Sequence, residues 1–145
     1  MDQPAWNYEY SVEAEATPAF AWSYWTDIRN WSDPPAQFSV DGAFAEGAQG
    51  QTLIPGQEPI HWAITNVAPG KSATIQMPLP GAVFSSHWRF EPLPCGRTRI
   101  TQRLEMTGEN AGAYEEARAA FSANLAAGMK KIAAAMSEAM GHETG

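Results

Sequence analysis

The sequence is poor in several features that define whole classes of protein. Cys95 is the single cysteine, which excludes an intramolecular disulfide and a cysteine-rich metal site. The chain has 9 lysine and arginine residues against 16 aspartate and glutamate residues. Its net charge of −7 argues against binding to nucleic acid, whose phosphates require basic side chains. No apolar run is long enough to cross a bilayer, and no apolar leader follows Met1. We therefore expect a cytoplasmic protein without a membrane partner.

The motifs of common catalytic centres are also missing. The three histidines, His61, His87 and His142, do not have the spacing of a metal site. There is no nucleophile elbow, phosphate-binding loop or dinucleotide fingerprint. The carboxylates offer no convincing acid–base pair, and Asp27 is expected to cap the second of two short helices. We expect no metal and no cofactor.

The sequence does contain a regular succession of strands and turns between two helical segments. From Trp6 to Ala14, apolar and polar residues alternate with the period of a strand that buries one face. Thr17–Pro18 starts a short helical segment that ends at Asp33–Pro34–Pro35. Six more strands begin at Phe38, separated by turns rich in glycine and proline. From Gly112 to Met140, apolar residues recur at the spacing of one long helix.

The last two strands can be placed in register. Their core-facing residues meet only if the loop between them has three residues, Pro94–Cys95–Gly96, with glycine in the left-handed conformation. This register pairs Trp88 with Gln102 on the inner side and Glu91 with Arg99 on the outer side. Opposite charges that face each other across two strands support the register.

The order of elements predicts the fold class. Antiparallel strands joined by short turns, with the helices on one side, are typical of an α+β fold. With 145 residues, of which 44% are hydrophobic, the chain fits a single domain spanning residues 1–145, present as a monomer or homodimer.

Several local patterns, in order, carry a resemblance to a known family. They are Thr17–Pro18–Ala19–Phe20–Ala21–Trp22, Thr26–Asp27–Ile28–Arg29–Asn30–Trp31, Asp41–Gly42, Pro80–Gly81, His87–Trp88–Arg89–Phe90–Glu91 and Gly96–Arg97–Thr98. The chain resembles the START-like (Bet v 1-like) superfamily, and more narrowly its bacterial SRPBCC members of the polyketide cyclase/dehydrase type. The resemblance implies a helix-grip fold, in which a curved antiparallel sheet of seven strands wraps around the long C-terminal helix, with two short helices after the first strand. It also implies a deep apolar cavity between sheet and helix, and no specific reaction.

We expect the cavity wall to consist of the inward-facing side chains of the strands and of one stripe of side chains on the last helix. That stripe is predicted to contain Tyr114, Ala117, Phe121, Leu125, Gly128, Ile132, Ala135 and Met136. Its large residues would anchor the helix, and its small ones would leave room for a ligand. The predicted ligand-binding residues are Tyr24, Phe38, Trp62, Ile75, Met77, Phe84, Ser86, Trp88, Phe90, Gln102, Leu104, Ala117, Phe121, Asn124, Leu125 and Gly128. Any one of them is equally well interpreted as an ordinary core residue.

The polar residues of this wall have two interpretations. Gln102, Ser86 and Asn124 either orient a ligand or are satisfied inside the protein, because buried amides and hydroxyls need partners. For Gln102 we favour an internal partner, the indole of Trp62 or Trp88.

Two histidines occupy strand positions whose side chains are predicted to face outward. His87 shares its face with Arg89 and Arg103, which favours a solvated surface histidine over a general acid or base. His61 alternates outward from Trp62, and its position near a strand start leaves the cavity mouth within reach.

Three functions are compatible with this pattern. The first is binding of a small hydrophobic or aromatic molecule in the cavity. The second is an enzyme of the cyclase/dehydrase or aromatase kind, which would need an ionisable group inside the cavity. The third is a protein-interaction domain, which would expose an apolar patch outside the cavity.

Overall fold

One antiparallel sheet of seven strands dominates the structure, a computed structural model that describes residues 6–30 and 36–144. The strands are β1 (Trp6–Ala14), β2 (Gln37–Val40), β3 (Gln49–Leu53), β4 (Ile60–Ala68), β5 (Ser72–Leu79), β6 (Ala82–Leu93) and β7 (Arg97–Thr107). The helices are α1 (Pro18–Thr26) and α2 (Glu115–Thr144), with single 3₁₀ turns at Ile28–Asn30, Pro94–Gly96 and Ala111–Tyr114. The strands lie in the order β1-β7-β6-β5-β4-β3-β2. The predicted seven-stranded antiparallel sheet with a long C-terminal helix is confirmed.

Helix α1 begins where the sequence predicts. The Thr17 hydroxyl oxygen accepts a hydrogen bond from the Phe20 N–H at 3.2 Å, and Pro18 occupies the first helical position. α1 ends at Thr26, and the 3₁₀ turn follows after Asp27, the C-terminal cap residue. The predicted end of the helical segment at Asp33–Pro34–Pro35 lies outside the described residues.

The predicted register of β6 and β7 is confirmed. Three residues, Pro94–Gly96, form the loop, and Trp88 pairs with Gln102. Both Cys95 (φ 65°) and Gly96 (φ 75°) adopt the left-handed conformation, so the turn has one more left-handed residue than the sequence predicts. The side chain of Cys95 is exposed at the tip of this hairpin.

The register divides the sheet into two chemically distinct faces. The inner face, which lies under the helices, is formed largely by apolar side chains, among them Val12, Ile75, Met77, Phe84, Trp88, Phe90, Ile100, Leu104 and Met106. The outer face carries the charged residues Glu9, Glu13, Arg89, Glu91, Arg99, Arg103 and Glu105. All the described strand carboxylates of β1, β6 and β7 are therefore on the outer face.

Helix α1 seals one end of the inner face with an aromatic cluster. Trp25, only 1% exposed, is its centre. Its ring centroid lies 4.7 Å from that of Trp88, 5.0 Å from that of Phe44 and 5.4 Å from that of Phe90. Trp22 adds an edge-to-face contact with Phe90 at 5.5 Å. Aromatic rings at these separations add specific attraction to the burial of apolar area.

Helix α2 runs alongside the edge strand β1. Immediately before α2, the Tyr114 hydroxyl donates to the carbonyl oxygen of Pro80 in the β5–β6 turn at 2.7 Å. Near its end, the Ser137 hydroxyl accepts a hydrogen bond from the Glu15 N–H at 2.8 Å. Among the strands, α2 comes closest to β1. The backbone of α2 therefore approaches the edge strand more closely than it approaches the middle of the sheet.

The buried face of α2 differs from the predicted stripe by a rotation. Leu125, Met129, Ala133 and Met136 are buried, whereas the predicted stripe member Gly128 is exposed. At about 100° per residue, Gly128 points about 80° away from Met136. The sequence misled because α2 is rich in alanine, so that its apolar residues do not define a single face.

Candidate functional site

The middle of the inner face is incompletely covered. Ile75, Met77, Trp88 and Gln102 are only half-buried although they lie on interior strands of the sheet. Neighbouring strands shield their flanks, so their accessible surface faces the helices. Two further predicted residues, Tyr24 and Phe38, are half-buried, and so is the inward-facing Tyr10, which the prediction omitted.

Other predicted wall residues are closed off. Leu104 is 2% exposed and Phe90 is 3% exposed. A ligand cannot contact such side chains unless the surrounding residues move, so these two belong to the core. Four more predicted residues keep only a small accessible area: Trp62, Phe84, Ser86 and Leu125.

Trp62 is held flat against the sheet by its neighbours on β3. Its indole N–H donates to the Thr52 hydroxyl at 3.1 Å. Gly50 is paired with Trp62, and a Cβ atom at Gly50 would overlap the six-membered ring of the indole. The glycine is therefore needed for close approach, and it fixes where the Trp62 ring lies.

Gln102 has an internal partner, as favoured, although a different one. Its amide nitrogen donates to the Ser86 hydroxyl at 2.6 Å. The predicted partners were the indoles of Trp62 and Trp88. An amide offers more than one hydrogen-bonding position, so the bond to Ser86 leaves capacity on the half-buried Gln102 for a second partner.

The helix side of the predicted wall needs correction. Asn124 and Gly128 are exposed, and at about 100° per residue both are turned away from the buried face of α2. The sequence prediction placed them inward because it centred the stripe on small residues. The side chains of Ala117 and Phe121 lie outside the described part of the structure.

Arg118 lies on the buried face of α2, where the sequence prediction placed no charge. It is seven residues before Leu125 and 18 before Met136, which puts it within about 20° of both around the helix axis. Arg118 is half-buried, and its Nε atom is buried without a hydrogen-bond partner in the described part of the chain. Ser122, one turn further, is also half-buried, and its hydroxyl donates to the Arg118 carbonyl oxygen at 3.1 Å.

The outer face holds a connected polar network around His87. The histidine Nδ1 is 2.8 Å from the Thr74 hydroxyl, and Nε2 is 3.2 Å from Glu105. Arg103 donates to the other Glu105 oxygen at 2.7 Å. Burial tends to raise the pKa of Glu105, but hydrogen bonds and charges from Arg103 and His87 outweigh it and hold that pKa below its ordinary value.

Both histidines of the sheet lie on its outer face. His87 faces outward as predicted, but it is half-buried and hydrogen-bonded rather than simply solvated. His61 is exposed and pairs with Gln51 on the outer face. Among the described residues, no cluster of three or more His, Cys, Asp or Glu side chains has the arrangement to hold a metal ion. In the same residues, no helix has the length and apolar content needed to cross a membrane.

Comparison with the sequences of known families agrees with this architecture of a sheet and a C-terminal helix. The profile of the family described as "Polyketide cyclase / dehydrase and lipid transport" matches residues 5–137. The chain belongs to this family. The polyketide cyclase/dehydrase resemblance expected from the sequence is therefore confirmed. No curated protein matches the chain in sequence.

Solved structures extend the comparison to the fold of this polyketide cyclase/dehydrase family member. A norcoclaurine synthase mutant from Thalictrum flavum, in complex with a transition-state analogue, has a TM-score of 0.73 at 13% identity, covering 93% of this chain and 96% of that chain. The Zhui aromatase/cyclase from a Streptomyces strain has a TM-score of 0.69 at 18% identity, covering 90% and 93%. A protein from Arthrobacter aurescens has a TM-score of 0.67 at 20% identity, covering 91% and 86%. These similarities confirm the helix-grip fold.

Proposed function

We propose that this protein binds a small hydrophobic or aromatic molecule between the inner face of the sheet and α2. The observation that carries the proposal is the incomplete burial of Ile75, Met77 and Trp88 on interior strands. Apolar side chains left accessible inside a fold are costly unless something covers them. A bound apolar molecule would bury their remaining surface, and ligand sites are typically apolar with a few polar groups.

The polar groups of the site would then set orientation. Gln102 is half-buried and tied to Ser86 at 2.6 Å, so its amide is held in a fixed position. A pre-positioned amide costs little entropy when a ligand binds. It would favour molecules with a hydroxyl or carbonyl group at that point over pure hydrocarbons.

Binding can be tested with a pair of adjacent substitutions on β5. Ile75 faces inward and Gln76 faces outward, and both are half-buried. Ile75→Trp would fill the proposed site, and Gln76→Trp adds the same ring to the opposite face. We expect the neutral fluorescent probe N-phenylnaphthylamine to bind the natural protein. We also expect Ile75→Trp to weaken its affinity at least about tenfold, since about 1.4 kcal/mol of lost contact is enough, with little change in Gln76→Trp.

The result that contradicts the proposal is equally definite. Absence of probe binding, or equal weakening by the two substitutions, would argue against a site on the inner face. Native mass spectrometry of freshly purified protein gives a complementary measurement, because a reproducible adduct would reveal a co-purified molecule.

A second candidate is an enzyme of the cyclase or aromatase kind, favoured by the family and by Arg118. A guanidinium has N–H donors and no acceptor atom, so it is not suited to act as a general base. It can stabilise an enolate or another developing oxyanion. The second function therefore predicts electrostatic stabilisation by Arg118 rather than proton shuttling by a histidine.

A further inference from the structure

A guanidinium on the buried face of an otherwise apolar helix stripe requires an explanation. Arg118 lies in the same row as Leu125 and Met136, of which the first is 8% exposed and the second 0% exposed. Arginine is almost never buried without a partner. Its Nε–H is nevertheless buried and unpaired in the described part of the chain.

The described strands β1, β6 and β7 offer no carboxylate on the inner face, where Arg118 lies. The register places Glu9, Glu13, Glu91 and Glu105 on the outer face of the sheet. The acidic residues in the first turn of α2, Glu115 and Glu116, are exposed. Within the described residues, Arg118 forms no ion pair.

The location of Arg118 along the helix defines one end of the inner face. Tyr114, one turn earlier, is bonded to Pro80 in the β5–β6 turn. Met77 and Leu79, which precede that turn on β5, face inward and are half-buried. The bond from Tyr114 to Pro80 therefore puts Arg118 toward the end of the sheet at which β5 ends, and we call this end of the inner face, with Met77 and Leu79, the open end. A cation and accessible apolar side chains thus occur together there.

We propose that Arg118 binds the acidic group of an aromatic or apolar ligand, such as a carboxylate or an ionised phenol, at the open end. This inference rests on the proposed ligand-binding function and specifies the chemical class of the ligand. An oxyanion is the group that matches a guanidinium, because the Nε–H and a terminal N–H can bond two oxygens side by side. The apolar body of the ligand would lie over Met77 and Ile75.

Two probes with the same aromatic body separate this inference from the proposed function. N-phenylnaphthylamine is neutral, and anilinonaphthalene sulfonate carries a sulfonate on the same framework. We expect both to bind the natural protein, with the sulfonate probe preferred. Loss of a charge-assisted bond in Arg118→Gln should reduce the affinity for the sulfonate probe about 10- to 100-fold. The affinity for the neutral probe should change little.

The matched control is Arg99→Gln, which removes the same charge from the exposed outer face. The protein carries a net charge of −7, and each substitution increases its long-range repulsion of the anionic probe by the same one unit of charge, so only a local contact distinguishes the two variants. Arg118→Lys keeps the charge and loses the planar fork, and we expect an intermediate affinity for the sulfonate probe.

The results with the two probes distinguish failure of the proposed function from failure of this inference. If the natural protein binds neither probe, the proposed function fails and this inference fails with it. If both probes bind and Arg118→Gln affects the sulfonate probe no more than Arg99→Gln does, the inference alone is wrong. Retained binding of the neutral probe by Arg118→Gln shows that the variant is folded and makes the comparison valid.

Discussion

The two ends of the inner face use the same helix for different purposes. At the end under α1, which we call the filled end, Trp25 packs against Trp88 and Phe90, and the nearby part of α2 contributes the buried Met136. At the open end, the same row of α2 carries Arg118, whose Nε is buried and unpaired in the described part of the chain. One end is packed with apolar contacts, and the other leaves a polar group without a partner. The difference suggests that stability and recognition are separated along one helix.

The largest expected effect tests the filled end. Trp25→Ala removes the central ring of the aromatic cluster and leaves a cavity, so we expect the free energy of unfolding to fall by about 3–5 kcal/mol. Chemical denaturation measures this change. Ser23→Ala, at an exposed position of the same helix, should change stability by less than about 0.5 kcal/mol. A loss below about 1 kcal/mol for Trp25→Ala would mean that this end is not the anchor.

The next effect concerns the close contact between Gly50 on β3 and Trp62 on β4. Gly50→Ala places a methyl group in the space of the Trp62 ring, and we expect a loss of about 1–3 kcal/mol from overpacking. The smaller ring in Trp62→Phe should relieve the overlap, so the double variant should be more stable than the sum of the single changes predicts. Additive losses measured by denaturation would contradict the contact. Gln51→Ala on the outer face serves as the control.

A smaller effect of opposite sign tests the open end itself. Arg118→Met removes an unpaired buried donor and keeps a long apolar side chain. We therefore expect the ligand-free protein to gain about 1 kcal/mol in the free energy of unfolding. Arg99→Met, at an exposed position on the outer face, should leave stability almost unchanged. Destabilisation by Arg118→Met would show that the guanidinium supports the ligand-free fold, and the contrast between the two ends would disappear.

The smallest expected effect lies on the outer face and depends on pH. The pKa of Glu105 is lowered in the folded protein from an ordinary value of 4.5. Its stabilising contribution is therefore present above that ordinary value and is lost as the pH falls through the folded-state pKa. Glu105→Gln should be less stable than the natural protein at neutral pH, and the gap should close in acid. Thermal unfolding across this range measures the gap. Glu58→Gln, in an exposed loop, should show no comparable pH dependence.

Local rules predicted much of the fold from sequence. Thr17–Pro18 specifies a helix start through short-range hydrogen bonding and fixed backbone geometry, and the structure has that cap. The alternation of inward- and outward-facing residues in β6 and β7 allows only a three-residue loop between them. The pairing of Trp88 with Gln102 follows from that loop length. Both inferences depend on a few neighbouring residues, so they did not require knowledge of tertiary packing.

The phase of α2 could not be predicted as well. Small residues such as Gly128 fit either face of an alanine-rich helix, so a stripe drawn through them was rotated from the observed one. Placing the large residues Leu125, Met129 and Met136 first would have set the phase, and the same row then passes through Arg118. The sequence prediction did not include Arg118 in the buried face, because charged residues are expected on the solvent side of a helix. The residue that sequence patterns assign to solvent became the most informative one of the site.

The left-handed Cys95 at the tip of the β6–β7 hairpin has a practical consequence for experiments. It is the single cysteine of the chain, and it is exposed. A thiol-reactive fluorophore would therefore attach at one defined point without engineered cysteines. The labelled tip continues directly into the two strands that carry Trp88 and Gln102, so energy transfer from the native tryptophans to the label offers an optical signal of ligand entry in the natural sequence.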